Sequence, residues 1–505
     1  MELDFDTCYR ALVSRDARFD GRFFATVRTT GIYCRPVCPA PKPRRRNVDF
    51  VASAAAAEAR GFRACRRCRP ECAPGSPECC GSSALLQRAL RRLHAGALNE
   101  GSVTELAADV GLSARHLTRL FRQELGATPL EVAQTLRAHD ARRLLEGTDM
   151  KLCDVAFAAG FGSVRSFNGE LRARFGRTPG ELRRLAGGGR PAAPGELSLR
   201  LTYRPPFSWR AALDYLGARA VRGVEFIDGD RYRRNVVLED QPGWIEVAPA
   251  ADAHGLRLTT NLAATRGLLA GIERVRALFD LRCDPLRVAG DLSRDGELAA
   301  LIARHPGLRV YGGWDGFELA VRAVLGQQVS LAGARTLLGR LVEQCGTRLA
   351  CEAEGLTHAF PCAAAVAEAE LEGLGLPRSR ATALRALAQA VRAGELDLEP
   401  GADPERARAG LLTLPGIGAW TAEYILMRAL RDPDAFPDAD LVLRKALARD
   451  GTLPSAGAVR RRSEAWRPWR AYAAMWLWKS TTERRDDETL PDPRESARRA
   501  VSVRE

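Results

Sequence analysis

The sequence predicts a multidomain α+β chain: a small zinc module, an all-α tandem helix-turn-helix, an α/β domain and an all-α helix-hairpin-helix domain. Three observations carry this reading. Eight of the 13 cysteines lie before Gly81. Two similar helical units follow each other, with Phe121 before Gly126-Ala-Thr-Pro129 and Phe175 before Gly176-Arg-Thr-Pro179. A Gly416-Ile-Gly418 turn interrupts a long helical stretch near the C-terminus. At roughly 150 residues per domain, 505 residues suit about three domains. The boundaries are read as 1–80, 84–185, a linker at 186–195, 196–310, 311–485 and a polar tail at 486–505.

The formal charge of +14 and pI of about 9.5 favour a polyanionic partner over an acidic metabolite. Charge alone does not separate DNA from RNA or from an anionic membrane surface. The N-terminus lacks the apolar stretch of a signal peptide, and no run of about 18 uncharged apolar residues appears, so a cytosolic chain with no membrane partner is expected. There, clustered cysteines argue for metal or thiol chemistry rather than disulfides.

In the first module, three residues separate Cys34 from Cys38 and two separate Cys65 from Cys68. Two close pairs joined by a loop fit one tetrahedral Zn²⁺ with sulfurs at about 2.3 Å. By spacing alone, a purely structural zinc knuckle is a better fit than a reactive site. Cys72, Cys79 and Cys80 fall outside the pattern, as loop cysteines or a competing ligand. The run Lys42-Pro-Arg44-Arg45-Arg46 suits a solvated face or a phosphate contact.

In the second module, Val103 to Gly111 reads as a helix and turn, and Ser113 caps a second helix over Ala114 to Glu124. Arg115, His116, Thr118, Arg119 and Arg122 occupy its polar positions. Lys151 to Phe161 repeats the pattern before a helix near Ser163 to Phe175 that bears Arg165, Asn168, Arg172 and Arg174. Phe157, Phe161, Phe167 and Phe175 read as core. An ordinary helical bundle with basic surfaces fits these features less specifically.

Past the Gly/Pro/Ala linker, Leu197 to Phe207 and Gly255 to Leu262 alternate as strands do. From about Phe317 the pattern turns helical. Gly416 and Gly418 permit a tight turn that presents backbone N–H groups at a helix N-terminus, suited to phosphate. Pro437-Asp438-Ala-Asp440 then places carboxylates at the opening of another helix; Asp438 by itself reads as an N-cap. Trp466, Trp469, Tyr472 and Trp476 read as a core stripe, and the chain after Ser480 as a frayed tail.

Three resemblances sharpen these readings. The runs Phe23–Cys38, Asn47-Val48 and Ala59–Cys68 resemble the N-terminal domain of the Ada adaptive-response regulator over about residues 5 to 70. That implies a methyl acceptor at Cys34, which would take the group from a DNA phosphotriester, and one Zn²⁺ on Cys34, Cys38, Cys65 and Cys68. The tandem units resemble the AraC-type DNA-binding domain, which implies DNA contacts from Arg115, Arg119 and Arg165; Arg45, in the basic run beside the zinc site, is a further expected phosphate contact. No Pro-Cys-His-Arg motif is found, and Phe360-Pro-Cys362-Ala-Ala does not match it, so direct O6-guanine repair is not expected.

Residues 195 to 485 resemble an AlkA-type 3-methyladenine-DNA glycosylase of the helix-hairpin-helix superfamily. The resemblance rests on Ala323–Ser330, the hairpin, the Asp loop, Trp466–Tyr472 and Glu273–Asp280. It implies a TBP-like α/β domain beside the helical core and a catalytic Asp440. It also implies a base pocket of Trp420, Tyr424 and Trp478, DNA contacts from Gly416 and Gly418, and Gln328 inserted into the duplex gap. Trp420 stands where bifunctional relatives carry a Schiff-base lysine, so no lyase activity is expected, and no cofactor or iron–sulfur cluster. The expected partners are double-stranded DNA with alkylation damage, promoter DNA and RNA polymerase, in a nucleoid-associated cytoplasmic protein. The competing expectation is a transcription factor whose C-terminal half is a non-catalytic DNA-binding scaffold.

Overall fold

The computed structural model describes residues 4–74, 84–185, 196–251, 254–262, 267–349, 355–399 and 401–489. The expected linker at 186–195, Cys79, Cys80 and most of the expected tail lie outside the described residues.

The first module is a four-stranded sheet of β1 (Phe24–Val27), β2 (Ile32–Cys34), β3 (Val48–Val51) and β4 (Arg63–Ala64), in the order β3-β1-β2-β4. β2 and β4 run parallel with Tyr33 opposite Ala64, and this register brings Cys34 and Cys65 side by side at the strand ends. Helix Phe5–Ser14, capped by Asp4, closes one face by packing Cys8, Ala11 and Leu12 on Phe23 and Phe50.

The tandem unit repeats one set of local signals. Helices Ala114–Leu125 and Val164–Phe175 start at capping serines, Ser113 and Ser163. Each ends at a left-handed glycine, Gly126 (φ 71°) and Gly176 (φ 65°). A threonine cap, a proline in the first turn and a glutamate then open the next helix: Thr128 and Glu131 for Pro129–Gly147, Thr178 and Glu181 for Pro179–Leu185. Phe161, Phe167 and Phe175 are buried, but Phe157 is 52% exposed, contrary to the core reading. On helix Leu152–Ala158 the inward residues are Val155, Ala156 and Ala158, and Phe157 faces outward between them.

Glu58, at the end of helix Ala54–Ala59, joins the two modules. It accepts hydrogen bonds from Tyr33 Oη (2.8 Å), Thr135 Oγ1 (2.6 Å) and Arg174. Arg174 is thereby committed to the zinc module rather than presented to DNA. Tyr33 Oη also lies 3.2 Å from Nε2 of the buried His139. Burial pushes His139 down to about 4 from an ordinary 6.5, with Arg143 and Arg142 opposing the pull of Glu71 and Asp140. The unfolded chain therefore takes up this proton first as pH falls below 6.5. Stability from this site is full above pH 6.5 and declines toward pH 4, by roughly 3 kcal/mol in all. Urea unfolding at pH 7 and pH 5 should show this slope in the parent and a shallower one in His139→Gln; equal slopes would refute it.

The second half opens with β5 (Leu197–Thr202), β6 (Glu225–Asp228), β7 (Arg231–Leu238), β8 (Gln241–Pro249) and β9 (Gly255–Thr260). Their order is β5-β9-β8-β7-β6, antiparallel throughout, with Leu199 opposite Leu258 and Leu201 opposite Leu256. Helices fill the remainder. Trp466 and Trp469 are buried, and their indole N–H groups donate to Asp295 and Asp291, each at 2.9 Å. Tyr472 donates to Asp280 at 2.9 Å, so each polar tip in this stripe has a partner. The last helix, Arg470–Thr489, runs past Ser480, where a frayed tail is expected from composition.

The halves meet along helix Ala84–His94. Arg88 pairs with Asp403 at 3.0 Å, and Asp403 caps helix Pro404–Thr413. Arg91 donates to the carbonyls of Leu430 (3.1 Å) and Arg431 (3.2 Å), and Arg92 pairs with Asp397.

Candidate functional site

The Sγ atoms of Cys34, Cys38, Cys65 and Cys68 all lie within 4.8 Å of one another, and those of Cys38 and Cys65 are 3.9 Å apart. A tetrahedral ion with bonds of about 2.3 Å needs sulfurs about 3.8 Å apart, so the four residues fit one Zn²⁺. Arg35 steadies the site. Its backbone N–H donates to Cys68 Sγ (3.3 Å), and its guanidinium binds Cys68 O (3.0 Å) and Asp20. Arg45 is exposed at the module surface, where it pairs with the exposed Asp6 and lies 4.9 Å from the Phe5 ring centroid. Arg115, Arg119 and Arg165 are exposed on the two capped helices, and Arg115 and Arg119 border one shallow depression with Arg122.

The hairpin joins helices Pro404–Thr413 and Ala419–Arg428. Gly416 has φ 75°, and a Cβ there would sit 3.1 Å from Ala383 Cβ. Gly418 opens the second helix with no side-chain cap, which leaves its first N–H groups to a ligand or solvent. Gln327 Nε2 donates to Gly416 O (3.0 Å) and Thr421 Oγ1 (2.8 Å), tying the neighbouring loop to the hairpin. The next residue, Gln328, is exposed in a left-handed conformation (φ 53°), flanked by exposed Val329 and Leu331.

Asp440 caps helix Leu441–Ala446 and is 9% exposed. Three donors converge on its carboxylate. Leu443 N (2.9 Å) and Trp478 Nε1 (3.1 Å) donate to Oδ1, and Trp420 Nε1 (2.8 Å) donates to Oδ2. The cap is thus only part of its role in the structure. The Trp420 and Tyr424 rings stack at 5.5 Å and 20°, and Tyr424 meets Trp478 at 6.1 Å. These four residues line one cavity of about 610 Å³.

The cavity has another end that sequence reasoning missed. Tyr215, from helix Trp209–Gly217, places its Oη 3.4 Å from Tyr424 Oη. Arg219 lies 3.7 Å from the Tyr215 ring centroid, and Arg428 lies 4.5 Å from it and donates to its hydroxyl. Burial pushes the Tyr215 phenol up to about 12 against both arginines. Burial also raises Tyr424, but Arg428 and Arg219 outweigh it and hold that phenol below its ordinary value. A signal was available: Trp420, Tyr424 and Arg428 are spaced i, i+4, i+8 on one helix face, and Tyr215 and Arg219 are spaced i, i+4.

Four families match the chain in succession. The metal binding domain of Ada covers residues 7–71, and a helix-turn-helix domain covers 106–185. The AlkA N-terminal domain covers 198–315, and the HhH-GPD superfamily of base excision DNA repair proteins covers 321–471. The chain is 43% identical over 481 residues to the probable bifunctional transcriptional activator/DNA repair enzyme AlkA of Mycobacterium tuberculosis, spanning 95% of this chain and 97% of that one. Its second half is 36% identical over 279 residues to DNA-3-methyladenine glycosylase 2 of Escherichia coli, spanning 55% of this chain and 95% of that one. The solved 3-methyladenine DNA-glycosylase of Archaeoglobus fulgidus shares its fold, with a TM-score of 0.50 at 24% identity over 55% of this chain and 97% of that one.

This succession defines a fused alkylation-response regulator and base-excision glycosylase. The chain belongs to the bifunctional Ada/AlkA family, with an Ada-type zinc-binding domain and helix-turn-helix units joined to an AlkA-type glycosylase domain.

Proposed function

We propose that the C-terminal half hydrolyses the N-glycosidic bond of alkylated purines in duplex DNA, with Asp440 as its catalytic residue. One observation carries this reading: a nearly buried carboxylate, held by two indole N–H groups, opens onto an aromatic cavity large enough for a base. The target must first leave the stack, at a cost of a few kcal/mol. A cationic methylpurine then stacks on Trp420 and Tyr424 and gains cation–π attraction. As the bond from sugar C1′ to the base nitrogen breaks, its electron pair leaves with the base. Asp440 stabilises the oxocarbenium charge left on the sugar, and a water oriented by the carboxylate adds at C1′ and gives up its proton. Gly416 and Gly418 bind a DNA phosphate through backbone N–H groups.

Gln328 fills the place of the flipped nucleotide. Gln328→Ala should lower release from paired DNA about tenfold. It should lower release from a mismatched site less, because less unstacking is needed there. Equal losses on both substrates would remove Gln328 from this role.

For the front half, the proposal is methyl transfer to Cys34 and sequence-specific promoter binding through Arg115, Arg119 and Arg165, with Arg45 on phosphate. Cys34, Cys38, Cys65 and Cys68 would hold Zn²⁺, which would keep their sulfurs as thiolates at neutral pH. Cys34 Sγ attacks the methyl carbon of a phosphotriester, the S–C bond forms, and the C–O bond breaks to release a phosphodiester anion. The backbone N–H of Arg35 donates to Cys68 Sγ, which weakens that sulfur as a nucleophile. Uptake removes one negative charge from the site, which tightens DNA binding and permits recruitment of RNA polymerase in the nucleoid-associated cytoplasm.

The deciding experiment incubates the full zinc-loaded chain with methylated duplex DNA. Release of methylpurines, together with one added methyl on the Cys34 peptide, is the expected result. No release from the folded chain would favour the scaffold alternative, and a methyl on Cys38, Cys65 or Cys68 instead would reassign the acceptor.

A further inference from the structure

The loop that carries Gln328 is short and held at both ends. It joins helix Gly316–Leu325 to helix Leu331–Cys345, and Ser330 caps the second of these by accepting from Gly333 N at 3.1 Å. Within it Gln328 takes the left-handed conformation (φ 53°), which crowds a Cβ against the following carbonyl oxygen. Such a conformation persists only where the surrounding structure fixes it. Gln327 does much of that fixing. Its carbonyl accepts from Arg380 Nη2 at 2.6 Å, and its side-chain nitrogen donates to Gly416 O at 3.0 Å and Thr421 Oγ1 at 2.8 Å. Both amide protons are thereby spent on the hairpin.

The two acceptors bracket the backbone that meets DNA in the reading above. Gly416 is the left-handed residue of the turn (φ 75°), and Thr421 is buried in the first turn of helix Ala419–Arg428. Between them lies Gly418, where that helix opens with no side-chain cap. The peptide plane after Gly416 is pinned on both edges. Gln327 holds its oxygen, and its N–H, that of Ile417, donates to Leu414 O at 3.3 Å. The residue before Thr421 is Trp420, which donates to Asp440. One side chain therefore grips the phosphate-binding turn from the position directly before Gln328.

We propose that Gln327 is a positioning residue that makes phosphate binding at the hairpin and insertion of Gln328 a single event. This rests on the glycosylase reading and on the role given to Gln328 above. A phosphate seated on the turn fixes Gly416 and Thr421, the amide of Gln327 carries that order into the loop, and Gln328 is held in the conformation that fills the vacated place. Without the amide, the turn and the loop still form, but the loop relaxes independently of the turn. Phosphate binding then no longer favours insertion.

The test is single-turnover release of methylpurines from methylated duplex DNA by the full-length parent, Gln328→Ala, Gln327→Met and the double variant. Gln327→Met keeps the length of the side chain and removes both donors. In the parent, Gln328→Ala should lower release about tenfold; beside Gln327→Met the same change should lower it less than about twofold, as expected for residues that act as one. Each factor is taken within one background, so a fall in the folded fraction caused by Gln327→Met cancels. A side chain that only braces the loop would leave the tenfold factor in both backgrounds. That result would overturn the inference and leave both the glycosylase reading and the role of Gln328 intact. No effect of Gln328→Ala in the parent would overturn the coupling together with the role of Gln328. A folded parent that releases no methylpurine would overturn the glycosylase reading as well.

Discussion

Asp440→Asn should lower base release from methylated duplex DNA about a thousandfold and leave the fold in place. On the mechanism proposed above, losing the carboxylate removes the negative charge that meets the sugar cation and the acceptor that takes the water's proton. Together these account for effects of about 10² to 10⁴. The side chain keeps its shape, so the amide oxygen can still accept from Leu443 N and Trp478 Nε1. Only the bond from Trp420 Nε1 is lost, because an amide N–H then faces an indole N–H. That should cost about 1 to 2 kcal/mol, a modest fall in the unfolding midpoint. Single-turnover release and thermal unfolding together check both halves of the expectation. A variant keeping a tenth of the parent rate would remove Asp440 from the chemistry.

Stripping the metal should produce the largest structural change. Four cysteine side chains, each under 8% exposed, converge within one ion's reach, and the sheet around them is short. Structural zinc sites of this type contribute about 10 to 16 kcal/mol of folding free energy, more than so small a core can replace. Chelation, or Cys65→Ala, should therefore unfold residues 24 to 68 as a unit. Because Tyr33 and Glu58 join this module to Thr135 and Arg174, operator binding should fall with it. Base release should persist. Limited proteolysis, operator binding and methylpurine release on one chelated sample read the three effects separately. A module that stays protease-resistant without metal would contradict the expectation.

Much of this was legible in sequence because local chemistry enforces it. Cysteine pairs at short spacing have few uses in a reducing compartment. The doubled Gly-x-Thr-Pro-x-Glu signal sets a helix stop, a cap and a helix start within six residues. Gly416 and the Pro-rich loop before Asp440 mark backbone turns that few other residues permit. What stayed hidden depends on distant partners. Tyr215 reaches the cavity from a domain whose own pattern shows only strands and a short helix. Arg174 sits on a face suited to DNA, but Glu58 claims it, and no spacing rule announces that acid. Phe157 breaks the expectation that a phenylalanine among alanines is core, because its neighbours Ala156 and Ala158 already fill the inward face. The helix beyond Ser480 extends a buried one, Trp476 and Leu477 included, whose packing outweighs the polar composition that follows.

The arginines of helix Ala84–His94 change how the joint between the halves should be understood. Arg88 holds the N-terminus of the first hairpin helix, and Arg91 holds the carbonyls just past the end of the second. The relative pose of regulator and enzyme is therefore set by a surface and not by a tether. In such an arrangement the two halves meet as docked partners do, and a change at Arg88 or Arg91 should loosen the enzyme's hold on the regulator as a mutation loosens a protein–protein interface.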